Sequence, residues 1–93
     1  MNNDLIARFL DTQTIPEDSC VKIDMKKRNA IFGYFVKAND YEDLKSKNLW
    51  RFVLHNNIIN WRKKNDFDFA KIFNGTEFIR LSVVNVAEPM SVV

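Results

Sequence analysis

The sequence is poor in the residues that covalent, metal or phosphate-loop chemistry requires. Cys20 is the only cysteine and His55 the only histidine, which excludes an intrachain disulfide and a cysteine-rich zinc site. The two glycines, Gly33 and Gly75, stand far apart, so no glycine-rich phosphate loop is present. Neither Cys20 nor His55 lies in a recognisable nucleophile motif. We therefore expect a protein that is not an enzyme and that uses no cofactor or metal.

Long apolar runs are also absent. No stretch approaches the length of a transmembrane helix, and the segment Met1-Asn2-Asn3-Asp4 lacks the basic residues that open a signal peptide. We therefore expect a cytoplasmic protein that does not engage a membrane.

What is present suits one small globular domain over residues 1–93. Hydrophobic residues make up 46% of the chain, and its eight Phe and two Trp are enough to fill a compact core. The net charge is only +2, so contact with nucleic acid would have to use a local basic patch.

The first part of the chain is patterned as a helix followed by two strands. Residues 3–12 fit a short amphipathic helix that Asn3 or Asp4 caps. Residues 21–25 alternate between apolar and polar types, which indicates a strand with one buried face. Residues 30–36 are apolar on both faces, as expected for a strand covered on both sides or bent around a barrel core. Gly33 lies inside this long strand and is consistent with a close backbone approach, a strong bend, or both.

An insertion and a third strand follow. Residues 40–48 interrupt the strand pattern, and Asp40 is placed to cap a single helical turn. Residues 50–54 alternate again and predict the third strand.

The rest of the chain contains one open alternative. Residues 58–61 suggest a fourth strand, whereas residues 67–73 fit both a strand and a short helix. We favour a tight hairpin at Asn74-Gly75 over a helix stop. Residues 78–86 predict the last strand, with Ile79, Leu81 and Val83 on one side, and residues 87–93 predict a frayed tail.

Two motifs in this order carry a resemblance to a known family. The first is the alternating strand at residues 21–25, a turn, and a long strand with a central Gly33, closed by Asn39-Asp40-Tyr41. The second is the spacing of apolar residues around Gly75 in residues 73–81. Both motifs resemble those of the Sm-like small β-barrel family and together cover most of the chain. The resemblance implies a mainly β fold, a strongly bent SH3-like barrel of about five strands with an N-terminal helix.

The resemblance assigns the barrel to residues 20–86, with a short helical insertion at residues 40–48. It also implies contacts with RNA. Tyr41 matches the aromatic residue that stacks on a base. Asp43 stands where the family has its RNA-reading Asn, and Asn48 takes that role only if residues 42–47 are inserted. In the second motif, Asn74 replaces a base-contacting Arg.

The same resemblance implies a homo-oligomer. Rings of this family form when the fourth and fifth strands of neighbouring subunits pair edge to edge. The corresponding edge residues in the last predicted strand are Phe78, Arg80 and Ser82.

Two basic clusters are placed in predicted turns. Lys27 and Arg28 belong to the first cluster, and Arg62 and Lys63 belong to the second. Solvated turns account for both, but the clusters would form a phosphate-contacting rim for single-stranded RNA if the two turns lie on one side of the fold.

Two tryptophans with arginine neighbours allow two interpretations. Trp50-Arg51 and Trp61-Arg62 match the basic and aromatic interleaving of single-strand binders. Strand alternation produces the same pattern with Trp inward and Arg outward, and we favour this core interpretation.

The alternative function is a protein-interaction or accessory module with a protein partner and no nucleic-acid ligand. Near-neutral charge, exposed strand edges and the lack of a catalytic set all fit this alternative.

Overall fold

The computed structural model describes residues 1–64 and 66–86, so the tail predicted at residues 87–93 lies outside the described residues. The elements in chain order are α1 Asn3–Thr12, β1 Ser19–Met25, β2 Ile31–Phe35, α2 Tyr41–Ser46, β3 Leu49–Leu54, α3 Ile58–Lys64, β4 Ala70–Asn74 and β5 Phe78–Asn85. Three short 3-10 turns lie at His55–Asn57, Phe67–Phe69 and Gly75–Glu77. No helix in the described ranges is long and apolar enough to cross a membrane.

The five strands form one antiparallel sheet in the order β4-β3-β2-β1-β5. The predicted leading helix, the number of about five strands and the helical insertion are therefore confirmed. Helical residues are about as numerous as strand residues, so the fold is mixed rather than mainly β. Within residues 1–64 and 66–86, β4 and β5 do not pair, and the sheet is not closed into a hydrogen-bonded barrel.

Helix α1 begins and ends at the predicted residues, but its cap lies one residue earlier. The side-chain oxygen of Asn2 accepts the N–H of Leu5 at 2.9 Å, which satisfies one of the free donors at the helix start. Ile6 and Ala7 face the sheet and are buried. A helix of this length depends on that packing to persist.

The main core lies between α1 and one face of the sheet. Trp50 and Phe52 are at its centre, with Trp50 only 2% exposed, which confirms the core interpretation for this tryptophan. Burial of each such side chain stabilises the fold by about 1.5–3 kcal/mol. The main core is completed by Ile6, Ala7, Val21, Ile23, Ile31, Phe78 and Leu81.

The opposite face of the sheet is also covered at its centre. Cys20, Val53 and Ala70 are buried although they do not belong to the main core, and α3 contacts β3 on this part of the molecule. A Cβ at Gly33 would overlap the carbonyl oxygen of Val53, so Gly33 serves a close backbone approach. The apolar character of β2 on both faces follows from this double coverage.

The strand predicted at residues 58–61 is wrong, because these residues belong to helix α3. β3 already pairs with β2 on one side and with β4 on the other, so the sheet offers no place beside it. The Trp61 ring instead packs edge-on against Phe67, with ring centroids 5.2 Å apart. At residues 67–73 both open alternatives hold in part, since a 3-10 turn leads directly into β4.

The tight hairpin predicted at Asn74-Gly75 is also wrong. β4 pairs with β3 and β5 pairs with β1, so the two strands joined by this segment lie at opposite edges of the sheet. The connection is the 3-10 turn Gly75–Glu77, and the side-chain oxygen of Asn74 caps it by accepting the Thr76 N–H at 3.0 Å.

Strand β5 is present as predicted, but its alternation is broken near its start. The register with β1 shifts between Asp24 and Met25, so that Ile79 is the extra residue of a β-bulge. Ile79 is therefore 58% exposed, while Leu81 is buried, and the two do not share the predicted side.

Candidate nucleic-acid interface

The residues predicted to contact RNA fall into two groups at opposite ends of the β1–β4 meander. Because consecutive strands here are antiparallel, the β1–β2 and β3–β4 connections share one end, and the β2–β3 connection lies at the other. The shared end carries Lys27, Arg28, Arg62 and Lys63. The other end carries Tyr41, Asn48 and Asn74.

Asn48 joins three distant parts of the chain. Its side-chain nitrogen donates to the Met1 carbonyl at 3.0 Å, and its side-chain oxygen accepts the Trp50 indole N–H at 2.8 Å. Its main-chain carbonyl accepts the Gly75 N–H at 2.8 Å. Its φ of 58° is left-handed, a conformation that Asn tolerates better than most residues. Both ends of the Asn48 amide are thus engaged within the chain.

Asn74 lies beside this junction. It pairs with Leu49 across β3 and β4, which places the start of the second family-like motif beside the end of the insertion. Its side-chain oxygen accepts both the N–H and the hydroxyl of Thr76. The Met1 amino group donates to the carbonyls of Gly75 and Phe78 at 3.1 and 3.0 Å, which completes the junction.

Tyr41 begins α2 and is half-buried. Its ring meets Trp50 edge-on with centroids 6.0 Å apart, and the Lys37 ammonium lies 5.1 Å from its centroid. Burial raises the pKa of the Tyr41 hydroxyl, and the nearby carboxylates of Asp11 and Glu42 raise it further. Tyr41 therefore packs the insertion onto the core, as an aromatic residue at a loop edge commonly does.

An ion pair holds the insertion against β3. Arg51 donates to both carboxylate oxygens of Asp40, at 2.6 and 3.3 Å. The hydrogen bond from Arg51 lowers the pKa of Asp40, and the same bond raises the pKa of Arg51. Asp40 occupies the predicted cap position of α2, but its side chain makes no cap hydrogen bond. A bidentate Arg–carboxylate pair is a rigid contact, which suits a positioning role.

At the shared end, the two basic clusters are exposed to solvent. Lys26–Arg28 and Arg62–Lys64 supply six cationic side chains in neighbouring connections. The Arg62 guanidinium also lies 6.0 Å from the Tyr34 ring, whose hydroxyl is 3.3 Å from Nδ1 of His55. Burial is the main cause that raises the pKa of Tyr34. The two basic clusters lie at the same end of the meander, although the second belongs to the last turn of helix α3 and not to the predicted turn.

The sequence assigned no role to Phe67, yet Phe67 is the most solvent-exposed aromatic side chain near α3. Its ring is 50% exposed, and the Arg51 guanidinium lies 5.0 Å from its centroid. An open cleft of about 400 Å³ adjoins it, lined by Ala38, Asn39, Asp40, Arg51 and Phe67. The sequence feature that points to this turn is Asp66, whose side chain accepts the Asp68 N–H and caps the 3-10 turn that contains Phe67.

The predicted edge residues of β5 differ in accessibility. Phe78 is 1% exposed and its side chain belongs to the core. Ser82 is half-buried, whereas the Arg80 side chain is largely exposed and donates to Asp24 at 3.1 Å. The most accessible apolar side chain of this strand is Ile79 at the bulge.

Among the described residues, no group of three His, Cys, Asp or Glu side chains could hold a metal ion. No protein-family model, curated protein or solved structure matches the chain.

Proposed function

We propose that this chain is a cytoplasmic, non-catalytic module that associates with its own copies and binds single-stranded RNA, as its resemblance to Sm-like barrels implies. The observation that carries the proposal is the sheet order, which leaves β4 and β5 as the two edges. These are the two strands through which members of that family join their subunits. The leading helix and the insertion before β3 also agree with an Sm-like layout.

The two edges are suited to a head-to-tail contact between copies. A strand edge presents backbone N–H and C=O groups that readily pair with another strand. Each edge also carries an exposed isoleucine, Ile72 on β4 at 47% and Ile79 on β5 at 58% exposure. A contact between β4 of one copy and β5 of the next is heterologous, so repetition generates a ring or a filament.

RNA binding is supported by the shared basic end. Lys27 and Arg28 lie in one connection and Arg62 and Lys63 in the other, and all four are exposed. One copy carries a net charge of only +2, so a single patch attracts phosphate weakly. Association would repeat the patch and raise the affinity through several simultaneous contacts.

Native mass measurement tests the association. We expect the wild-type protein to be oligomeric and Ile72→Lys or Ile79→Lys to shift it towards the monomer. Leu5→Lys is the matched control, since Leu5 is exposed on α1 at 46% and lies on neither edge. A wild-type protein that stays monomeric at every concentration would contradict this half of the proposal.

A titration with short oligouridylate at several salt concentrations tests RNA binding. Neutralising Lys27 and Arg28, or Arg62 and Lys63, should reduce the salt slope by about one for each phosphate that the variant no longer neutralises. The control pair is Lys45→Ala in the last turn of α2 and Lys47→Ala directly after it, since each lysine makes a solvent-exposed ion pair of small value. If the wild type binds no RNA but retains a protein partner after nuclease treatment, the protein-interaction alternative is correct.

A further inference from the structure

The cleft beside Phe67 combines flat surfaces with a polar edge. One part of the cleft lining consists of the Phe67 ring and the Arg51 guanidinium, which lie against each other. Ala38, Asn39 and Asp40, from the β2–α2 connection, form the other part. Its volume of about 400 Å³ lies within the range of roughly 300–1,000 Å³ of small-ligand sites.

The walls of this cleft are held in place before any ligand arrives. Asp40 holds the Arg51 guanidinium through two hydrogen bonds, so its plane has a defined orientation. Trp61 packs edge-on against Phe67 from α3 and supports the ring. A preorganised aromatic and guanidinium surface suits base stacking, because every base presents a π-face. A rigid site also lowers the entropy cost of binding, since few side chains must be ordered.

The charges around the cleft indicate where a nucleic-acid backbone would run. Asp66 and Asp68 flank Phe67 in the 3-10 turn and are exposed, so phosphates are disfavoured on that side. The last turn of α3 carries Arg62, Lys63 and Lys64, all exposed, and it precedes Phe67 along the chain. The contact between Trp61 and Phe67 places α3 beside the cleft, so a strand with its phosphates along the last turn of α3 can reach Phe67 with a base.

We propose that this cleft binds one base of a single-stranded RNA, stacked on Phe67 and Arg51 with the exposed Asn39 amide at its edge. The proposal rests on the RNA binding proposed above and adds a site that the family resemblance does not imply. It also separates the predicted RNA-contacting residues of the β2–β3 end from the cleft itself. Tyr41, Asn48 and Asn74 hold the framework, and the α3 side contacts the base.

Phe67→Leu is the test variant, since leucine retains apolar contact with Arg51 and Trp61 but removes the ring. Phe67→Tyr is the matched control that keeps the ring. The ligands are a short oligouridylate and an abasic ribose-phosphate chain of equal length and charge. We expect Phe67→Leu to weaken oligouridylate binding about tenfold, with no change for the abasic chain, and Phe67→Tyr to bind like wild type.

The other outcomes overturn the base site. An equal loss for both ligands would mean that Phe67 acts through the fold or through phosphate contacts. Unchanged binding of both ligands by Phe67→Leu would place the bases elsewhere while leaving RNA binding intact. A nuclease-resistant protein partner that no longer binds Phe67→Leu, without RNA binding by the wild type, would assign the cleft to a protein and refute both proposals.

Tryptophan fluorescence gives a second readout at the cleft. Trp61 contacts Phe67, whereas Trp50 is buried in the core, so a base in the cleft should quench Trp61 selectively. Oligouridylate should quench the wild-type emission, and the abasic chain should not. Trp61→Phe should show no such quenching at RNA concentrations that saturate the variant. Quenching that persists in Trp61→Phe would contradict a base at this position.

Discussion

The main-chain carbonyl of Asn48 accepts the N–H of Gly75, and the Asn48 side chain occupies the space that a Cβ at position 75 would need. This contact joins the start of β3 to the end of β4. Gly75 is therefore required for close packing, and not for the tight hairpin that its Asn-Gly context suggests.

Gly75→Ala should destabilise the fold, because Gly75 is buried in the connection between β4 and β5. The added methyl group would overlap the Asn48 side chain and lie 2.7 Å from Cδ1 of Ile6. Overpacking of this kind costs about 1–3 kcal/mol in the free energy of unfolding. Urea denaturation measures the loss. The neighbouring exposed control, Thr76→Ala, should change stability by less than about 1 kcal/mol, and similar midpoints for both variants would contradict the packing argument.

Asn48→Gly should be more stable than Asn48→Ala. Both variants lose the bonds to the Met1 carbonyl and the Trp50 indole, so they share that cost. They differ because φ at this position is 58°, where alanine is strained by about 1–2 kcal/mol relative to glycine. Parallel urea unfolding curves measure the difference. Equal stabilities would show that the left-handed conformation is not retained in the variants.

Cys20 should react with a thiol reagent only after unfolding, as one thiol per chain. Cys20 lies on β1, the strand between β2 and β5, and is fully buried; burial raises the pKa of its thiol above the ordinary value. The resulting preference for the neutral thiol stabilises the fold below the ordinary thiol pKa and is lost as the pH rises through the folded-state pKa. Cys20→Ala should therefore show a smaller loss of stability at alkaline pH than wild type. Rapid labelling of the native protein would contradict this burial.

The Asp40–Arg51 pair should weaken in acid. Because Arg51 lowers the pKa of Asp40, the stabilisation is present above the ordinary aspartate pKa and is lost as the pH falls through the lower folded-state value. The stability difference between wild type and Asp40→Asn should therefore be present at neutral pH, begin to decline near pH 4 and vanish only below the lower folded-state pKa. Asp43→Asn, which removes only an exposed ion pair with Lys47, is the control. A difference that persists unchanged in strong acid would contradict the assignment.

Local pattern was sufficient where one face of an element is buried along its whole length. Helix α1 and strand β1 follow from the spacing of their apolar residues, because that spacing must match the period of the backbone. β3 follows in the same way from Trp50 and Phe52. These elements were predicted within one or two residues of their bounds.

The sequence pattern predicted the wrong element where the local preference for a strand had no room in the folded sheet. Residues 58–61 are rich in types that favour strands, but both sides of β3 are occupied, and from helix α3 Trp61 contacts Phe67. Helix propensities differ by less than about 1 kcal/mol per ordinary residue, so tertiary packing outweighs them.

The candidate site could likewise be predicted only in part from the sequence. Asn48 and Asn74 could be selected from the sequence as base-reading residues, but only the fold shows that their side-chain oxygens accept intrachain hydrogen bonds. Phe67, Arg51 and Asn39 come from three separate segments, and no spacing in the sequence indicates that they meet.

The sequence by itself determined a small chain with a leading helix and several amphipathic strands, and it excluded a disulfide and a phosphate loop. Those properties depend on residue type and short-range period, which act within a few neighbouring residues. Only the tertiary structure decided which strands are edges, that α3 is a helix, and that Phe67 and Arg51 line one cleft. Those features depend on contacts between distant segments, whose energies outweigh local preference once the chain is compact.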